Sequence, residues 1–220
     1  MKLTKLAQSC VLIETKEKRI LVDPGSIMFE ESLMETFWKN IDVLLITHRH
    51  SDHIHLESVK KISTNPKTKF YTTNEVATTY PSLKPEIVKE GDVLELHDIK
   101  VEVVKSVHGW QPMMKGGGEI YEEVGYIVDD GKKRAYFPGD TLVFPNDYKC
   151  DVLFLPANNH GVCMGPFEAA LWAKDIGPEL VIPYHNNNEM LPMNENRVKQ
   201  ELIKNGLSFR FLKVKESIEV

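Results

Sequence analysis

The chain has 220 residues, of which 42% are hydrophobic and 27% are charged, and it carries a formal net charge of −5 at pH 7. This length allows one domain with a substantial core, and this composition excludes a disordered or low-complexity chain. The acidic balance, without a concentrated run of Lys and Arg, argues against a nucleic-acid partner.

The cysteines and the hydropathy of the chain bear on its compartment. Cys10, Cys150 and Cys163 are odd in number and scattered, so we predict neither a disulfide framework nor a thiolate zinc site, but reduced core residues. No stretch has the hydrophobic segment of a leader peptide or the roughly 18 apolar residues of a spanning helix. We therefore expect a soluble, cytoplasmic protein without a membrane partner. The sequence does not indicate its oligomeric state.

Short apolar runs separated by turn residues predict strands in the first third of the chain. These strands cover residues 2–6, 10–14, 19–23, 41–46 and 69–73. Apolar residues at helical spacing predict helices over residues 56–62 and 74–80, and a helix or a lid over residues 28–38. The sequence Asp23-Pro24-Gly25 interrupts the strand pattern, because Pro lacks a backbone donor and Gly tolerates positive φ.

The remaining elements suggest two related halves. Hairpins are predicted over residues 93–96 with 101–104 and over residues 124–128 with 134–137, and the glycine-containing residues 111–123 predict a mobile loop. The last third alternates predicted strands with predicted helices, namely strands at 152–155, 180–183 and 209–212 and helices at 166–176 and 194–204. Residues 42–46 and 151–155 have nearly the same pattern. No linker separates the halves, so we predict a single domain over residues 1–220.

Side chains that bind metals stand where predicted strands end. They are His48, His50, Asp52, His53, His108, Asp140 and His185. Five imidazoles and two carboxylates suit zinc, and also manganese or iron, better than magnesium or calcium. Extended backbone places His48 and His50 on the same face, so that both can bind one ion. Seven ligands exceed the need of one tetrahedral ion and suit two divalent ions that share a carboxylate.

The run His48-Arg49-His50-Ser51-Asp52-His53 resembles the signature of the metallo-β-lactamase superfamily. Residues 21–25, His108, residues 139–141 and residues 183–185 follow in the superfamily's order. The resemblance implies the α/β fold (α+β type) of this superfamily, a four-layer αββα sandwich with the site at one edge of its two sheets.

The resemblance also implies roles for individual residues. His48, His50 and His108 would bind the first metal ion, and Asp52, His53 and His185 the second. Asp140 would bridge the two ions, and Asp23 would orient the ligand loop without binding a metal ion itself.

Three segments, residues 20–25, 136–141 and 156–165, are most similar to small hydrolases related to L-ascorbate-6-phosphate lactonase. The implied activity is hydrolysis of a small ester, lactone or phosphodiester by a metal-bridging hydroxide. Asp52 and Asp140 are the predicted catalytic carboxylates, and Asp52 is also the expected proton acceptor. The expected partner is a small-molecule substrate, which could be anionic.

Two other functions use the same fold. One is an oxidoreductase of the flavo-diiron type, but such relatives usually have Glu at the position of His50 and an attached flavin domain. The other is a non-catalytic binding module that has lost its metals, but all seven candidate ligands are retained here. A tRNA-processing nuclease would need a basic arm, which the sequence lacks.

Several residues keep open roles. Lys115 either covers an anionic substrate or is a solvated loop residue. Asn158, Asn159 and His160 are substrate contacts or pocket lining, and Trp110 and Phe144 are pocket wall or core.

Two features depart from longer relatives. His55 is an additional His just after the signature, and residues 110–123 form an unusual loop. These departures leave the substrate open, because loops determine substrates in such folds.

Overall fold

The computed structural model describes residues 1–220 and contains two β-sheets. The first sheet is formed by β1 (Lys2–Lys5), β2 (Val11–Glu14), β3 (Arg19–Val22), β4 (Val43–Leu45), β5 (Lys69–Thr72), β6 (Glu86–Ile87) and the C-terminal β13 (Glu216–Glu219). The second is formed by β7 (Val93–Leu96), β8 (Ile99–Lys105), β9 (Val124–Asp129), β10 (Arg134–Phe137), β11 (Val152–Pro156) and β12 (Leu180–Tyr184). In space the strand orders are β13-β1-β2-β3-β4-β5-β6 and β12-β11-β10-β9-β8-β7.

Five helices accompany the sheets. They are α1 (Glu31–Thr36), α2 (Leu56–Ser63), α3 (Asn74–Thr79), α4 (Pro166–Ile176) and α5 (Glu195–Lys204). Helix α4 begins at Pro166, where a missing N–H is harmless, and it is followed by Gly177 in the left-handed conformation. Helix α5 is capped by Asn194, whose side chain accepts the N–H of Arg197. None of the helices is long and apolar enough to cross a bilayer.

Three apolar clusters separate the layers. The cluster between the two sheets contains 23 buried residues, among them Leu45 and Phe154. A second cluster packs the outer face of the first sheet against α1, α2 and α3, and a third packs the outer face of the second sheet against α4 and α5. Alternate residues of a strand face opposite sides, so Leu44 joins the outer cluster while Val43 and Leu45 join the inner one. The predicted four-layer αββα sandwich is confirmed.

Strands from both sheets end at one edge of the sandwich. β3 and β4 are parallel neighbours in the first sheet, and β10, β11 and β12 are parallel neighbours in the second. The chain segments that leave these strands and β8 carry Asp23, His48, His108, Asp140 and His185. Residues far apart in sequence therefore meet at this edge.

The predictions for the C-terminal segment need correction. The strand predicted at residues 209–212 is wrong, because only Phe209 forms an isolated bridge, with Val181. Phe209 and Phe211 pack on the outer cluster and Leu212 on the inner one. These residues are therefore apolar because they pack against the sheet, and not because they form a strand. The strand β13 was not predicted, because Ile218 is its only apolar residue. The two-residue β6, exposed throughout, was missed for a similar reason.

Candidate metal centre

The first group of candidate ligands is His48, His50 and His108, whose ligand atoms all lie within 4.8 Å of one another. Nε2 of His48 lies 3.2 Å from Nδ1 of His50. Nδ1 of His108 lies 2.6 Å from the carbonyl oxygen of Gly109. Because a carbonyl can only accept, this Nδ1 carries the proton and Nε2 keeps a free lone pair. The group thus offers imidazole nitrogens to one common space.

Asp52, His53, Asp140 and His185 form the second group, with ligand atoms also within 4.8 Å of one another. Nε2 of His185 lies 3.1 Å from Oδ1 of Asp140 and 3.2 Å from Oδ2 of Asp52. Nε2 of His53 lies 3.4 Å from the same Asp140 oxygen. The two groups are contiguous, because the ring centroids of His48 and His53 are 4.0 Å apart.

Buried nitrogen and oxygen atoms that could bind a metal, and that make no hydrogen bond, indicate where a cation fits. Nε2 of His53, Nε2 of His108 and Oδ1 of Asp140 are buried and make no hydrogen bond, and Oδ1 of Asp140 has only its ionic contacts with the two imidazoles of its own group, although buried polar atoms in folded proteins nearly always have a hydrogen-bond partner. Imidazoles and carboxylates together suit borderline divalent ions. The residues therefore fit divalent metal ions. All seven residues predicted from the sequence lie in the two groups, and their individual roles as ligands stay predictions.

The imidazoles of the two groups differ in protonation. Burial lowers the pKa of His48 well below its usual value and that of His108 to about 4. Burial acts in the same direction in the second group, but carboxylates led by Asp140 outweigh it. They raise the pKa of His185 to about 9 and that of His53 well above its usual value. At neutral pH His48 and His108 are therefore neutral, whereas His53 and His185 hold protons that a cation would displace.

Asp23 fixes the tautomer of His53. Its Oδ2 lies 2.8 Å from Nδ1 of His53 and accepts the Thr47 hydroxyl at 2.8 Å, while Oδ1 accepts the Thr47 backbone N–H at 2.8 Å. Nδ1 therefore keeps its proton, and Nε2 faces the second group. A Cβ on Gly25 would lie 1.7 Å from the backbone oxygen of Asp52, so only glycine allows the loop after β3 to pack on the ligand loop. This geometry agrees with the role that the resemblance implied for Asp23.

Glu123 supports the first group, and sequence reasoning missed it. Its Oε1 lies 2.9 Å from Nδ1 of His48 and accepts the backbone N–H of Asp140 at 2.7 Å. Its Oε2 accepts the hydroxyl of Ser106 at 2.9 Å. Burial and the neighbouring Asp140 carboxylate raise the pKa of Glu123 well above its usual value. The sequence shows only a Glu at the end of a polar loop, and no local pattern indicates that its side chain is 1% exposed.

Arg49, inside the signature, ties the loop of residues 111–123 to the ligand loop. Its guanidinium donates to the carbonyl oxygens of Gly117, at 3.0 Å, and Glu119. Its Nε donates to Glu75 of α3 at 2.9 Å. Glu75 also accepts the backbone N–H groups of residues 121–122. Apart from one short 3₁₀ turn at Pro112–Met114, this loop has no helix or strand, and these hydrogen bonds fix its path.

The loop in turn orients a candidate ligand. The carbonyl oxygen of Gly118 lies 2.8 Å from Nε2 of His50. Since a carbonyl only accepts, Nε2 carries the proton and Nδ1 of His50 is left for the first group. Arg49 and Glu75 thus act on His50 through the loop backbone. Sequence reasoning missed both, because charged residues on a loop and a helix usually indicate only a solvated surface.

The residues with open roles lie at different distances from the two groups. His55 lies outside them, since its ring stacks on Phe29 with centroids 3.8 Å apart and its Nδ1 lies 2.7 Å from the hydroxyl of Ser58. The side-chain amide of Asn158 donates to the carbonyl oxygen of His185, so Asn158 borders the site. Phe144 is buried in the cluster beneath α4.

The other open residues, Asn159, His160, Lys115 and Trp110, are more exposed than the buried Asn158. Asn158, Asn159 and His160 line a cleft of about 470 Å³ together with Arg197. Lys115 is exposed and makes no ion pair, and Trp110 is 57% exposed. Neither contacts the two groups by hydrogen bond.

Comparisons with known proteins agree on the fold. A family model described as the beta-lactamase superfamily domain matches residues 2–185. The chain is 30% identical, over 241 aligned positions that cover 100% of both chains, to a UPF0173 metal-dependent hydrolase of Korarchaeum cryptofilum. A solved structure of Igni18, a metallo hydrolase from Ignicoccus hospitalis, has a TM-score of 0.79 at 23% identity and covers 99% of this chain and 97% of that one. The metallo-β-lactamase fold protein YhfI from Bacillus subtilis has a TM-score of 0.78 at 16% identity, covering 99% and 98%.

Proposed function

The chain belongs to the β-lactamase superfamily, and from this premise we propose that it is a binuclear metal-dependent hydrolase of a small ester, lactone or phosphodiester. The metal-dependent hydrolase class follows its full-length relative at 30% identity. The observation that carries the binuclear part is the contact between two complete ligand groups at one edge of the sandwich. The carboxylate of Asp140 also acts electrostatically on imidazoles of both groups, among them His48 and His53, which supports its role as the bridge.

The proposed assignment gives three imidazoles to one ion and a mixed set to the other. His48, His50 and His108 would hold the first ion, and Asp52, His53 and His185 would hold the second, with Asp140 between them. Zinc is the proposed metal, because imidazole-rich sites suit it, and manganese and iron are the alternatives. Two such ions, when bound, would supply a water of lowered pKa and a Lewis acid for the substrate oxygen.

The two carboxylates are suited to different tasks. The side chain of Asp52 is 21% exposed and that of Asp140 is 2% exposed. Burial raises the pKa of Asp52, but His53 and His185 outweigh this and hold it below its usual value, so Asp52 is ionised at neutral pH. We assign the receipt of the transferred proton to the Asp52 carboxylate, which a substrate can reach. The buried Asp140 would hold the two ligand groups together.

The proposal is tested by element analysis of the purified protein and by assays on esters, lactones and phosphodiesters. Lactones are included because residues 20–25, 136–141 and 156–165 resemble the lactonase-related hydrolases. We expect two ions per chain and turnover of one substrate class that a chelator abolishes and zinc restores. Asp140→Asn should lower both metal content and turnover, whereas Asp98→Asn, at an exposed position, should change neither.

Two outcomes would contradict the proposal. Full metal occupancy without turnover of any of the three substrate classes would count against a hydrolase. Iron as the native metal, with reduction of dioxygen, would favour the flavo-diiron type of chemistry instead.

A further inference from the structure

Lys5 of β1 is a buried lysine whose hydrogen-bond acceptors are uncharged. Its side chain is fully buried, and Nζ donates to the carbonyl oxygen of Leu6 at 3.1 Å and to Oδ1 of Asn187 at 2.9 Å. Burial lowers the pKa of Lys5 to about 8. Burying an ammonium group costs free energy even when its hydrogen bonds are satisfied. Packing alone therefore does not explain why a lysine stands here.

Asn187 links this lysine to Gln8. Besides accepting from Lys5, Oδ1 of Asn187 accepts the backbone N–H of Gln8 at 2.8 Å, and the backbone N–H of Asn187 donates to Oε1 of Gln8 at 3.0 Å. Gln8 is buried and has a φ of 55°, a left-handed conformation that costs free energy for any residue with a Cβ. The carbonyl oxygen of Gln8 accepts the backbone N–H of His185 at 3.0 Å.

These contacts determine which way the amide of Gln8 points. A backbone N–H can only donate, so the amide oxygen of Gln8 faces Asn187 and the amide nitrogen faces the second ligand group. There Nε2 of Gln8 lies 3.2 Å from Oδ2 of Asp52 and 2.8 Å from Nε2 of His185. One side chain therefore contacts two candidate ligands of the same ion.

We propose that Gln8 is a positioning residue for the second metal ion and that Asn187 and Lys5 hold it in place. The inference rests on the proposed function, because it assumes that the second group binds an ion. The side-chain amide of Gln8 donates to the Asp52 carboxylate, and the backbone carbonyl oxygen of Gln8 accepts the backbone N–H of His185. Both candidate ligands are therefore oriented before the ion binds. Groups that orient metal ligands typically contribute about 10–100-fold in metal affinity.

The test is the affinity of each ion, measured by chelator competition with Zn²⁺ and Co²⁺. Gln8→Met keeps the length of the side chain and removes the amide. It should lower the affinity for the second ion about 10–100-fold and change the affinity for the first ion less than about threefold. The variant His185→Asn identifies which affinity class belongs to the second ion. Thr4→Val is the matched control, because it removes a hydrogen bond of β1, to Ser217 at 2.8 Å, away from the site. It should lower the Tm and leave both affinities unchanged.

A second pair of variants decides the question if Gln8→Met does not fold. Asn187→Asp keeps an oxygen for Lys5 and for the N–H of Gln8, so it should retain the affinity of the second ion. Asn187→Leu removes that oxygen and should lower the affinity for the second ion as much as Gln8→Met does. Wild-type protein that binds two ions, together with Gln8→Met and Asn187→Leu variants of unchanged second affinity, would overturn this inference alone. Wild-type protein that binds one ion would overturn the proposed function instead.

Discussion

Nδ1 of His53 lies 2.8 Å from Oδ2 of Asp23, thirty positions earlier in the chain. The contact joins the loop after β3 to the loop after β4. These two strands are parallel neighbours in the first sheet. It fixes the ring of His53 so that Nε2 points at the second group. The first group has an equivalent support in Glu123 on His48. Each group of ligands is thus held by a buried carboxylate that does not itself belong to the group.

Replacement of Asp23 tests the first of these supports. Asp23→Asn leaves one oxygen for three donors, namely the Thr47 N–H, the Thr47 hydroxyl and Nδ1 of His53, so at least one buried donor loses its partner, at a cost of about 1–3 kcal/mol. We expect a lower Tm and a second ion that binds about 10–100-fold more weakly, as measured by chelator competition. Asp98→Asn is the control. An unchanged affinity for the second ion would show that Asp23 has no orienting role.

Glu123 can be tested with two variants of graded severity. Glu123→Gln keeps an amide oxygen that can occupy the position of Oε1 and accept from both His48 and the N–H of Asp140, whereas Glu123→Ala leaves both donors unpaired. The alanine variant should therefore lose more stability, by about 1–3 kcal/mol for each unpaired group, and more affinity for the first ion. Denaturant unfolding and metal titration measure the two effects. Equal losses in the two variants would contradict this role, because the glutamine variant keeps the acceptor oxygen and creates no cavity.

The contacts of Arg49 predict a defined path for residues 111–123. Arg49→Lys removes the planar fork that reaches Glu75 and two loop carbonyls at once. We expect faster proteolysis within the loop and about tenfold weaker binding of the first ion, because the Gly118 carbonyl no longer orients His50. Arg197→Lys, which changes an exposed arginine that pairs with the buried Glu201 of the same helix, is the matched control. If the loop is cleaved faster but the affinity for the first ion does not change, the loop does not orient His50.

The two ions should differ in their dependence on pH. A group with a raised pKa is protonated below that pKa, so binding at His53 and His185 must displace protons. Since the pKa of His185 is raised to about 9, affinity for the second ion should rise with pH up to about pH 9. Burial lowers the pKa of His108 to about 4 and that of His48 well below its usual value, so these two imidazoles release no protons near neutral pH, and affinity for the first ion should depend less on pH than affinity for the second. Calorimetry at pH 7 in buffers of different ionisation enthalpy would measure proton release, and equal release by both ions would contradict this prediction.

Most strands and the candidate ligands could be predicted because they leave local signals, whereas the αββα fold was predicted from the resemblance that residues 48–53 carry. Alternating apolar runs indicated most strands, and polar residues at strand ends marked the site edge. His48, His50 and His53 stand in one short segment after β4. The later candidate ligands, such as Asp140 and His185, could be predicted because each follows a buried strand.

Apart from Asp23, whose role the resemblance implied, the supporting residues could not be predicted, because their contacts depend on how distant segments pack. Glu123 is 17 positions from Asp140, whose N–H it accepts, and Gln8 is 177 positions from His185. Neither has a pattern that distinguishes it from a surface polar residue. The strand β13 likewise depends on its pairing with β1 and not on its own composition.

The central claim is that the edge of the sandwich binds two ions at once. The direct measurement is a crystal structure of the metal-loaded protein with anomalous scattering at the metal edge, combined with element analysis of the same sample. We predict two ions per chain and two peaks about 3.5–4 Å apart, one among His48, His50 and His108 and the other beside His53 and His185. A single peak at full occupancy, with one ion per chain in solution, would contradict the account.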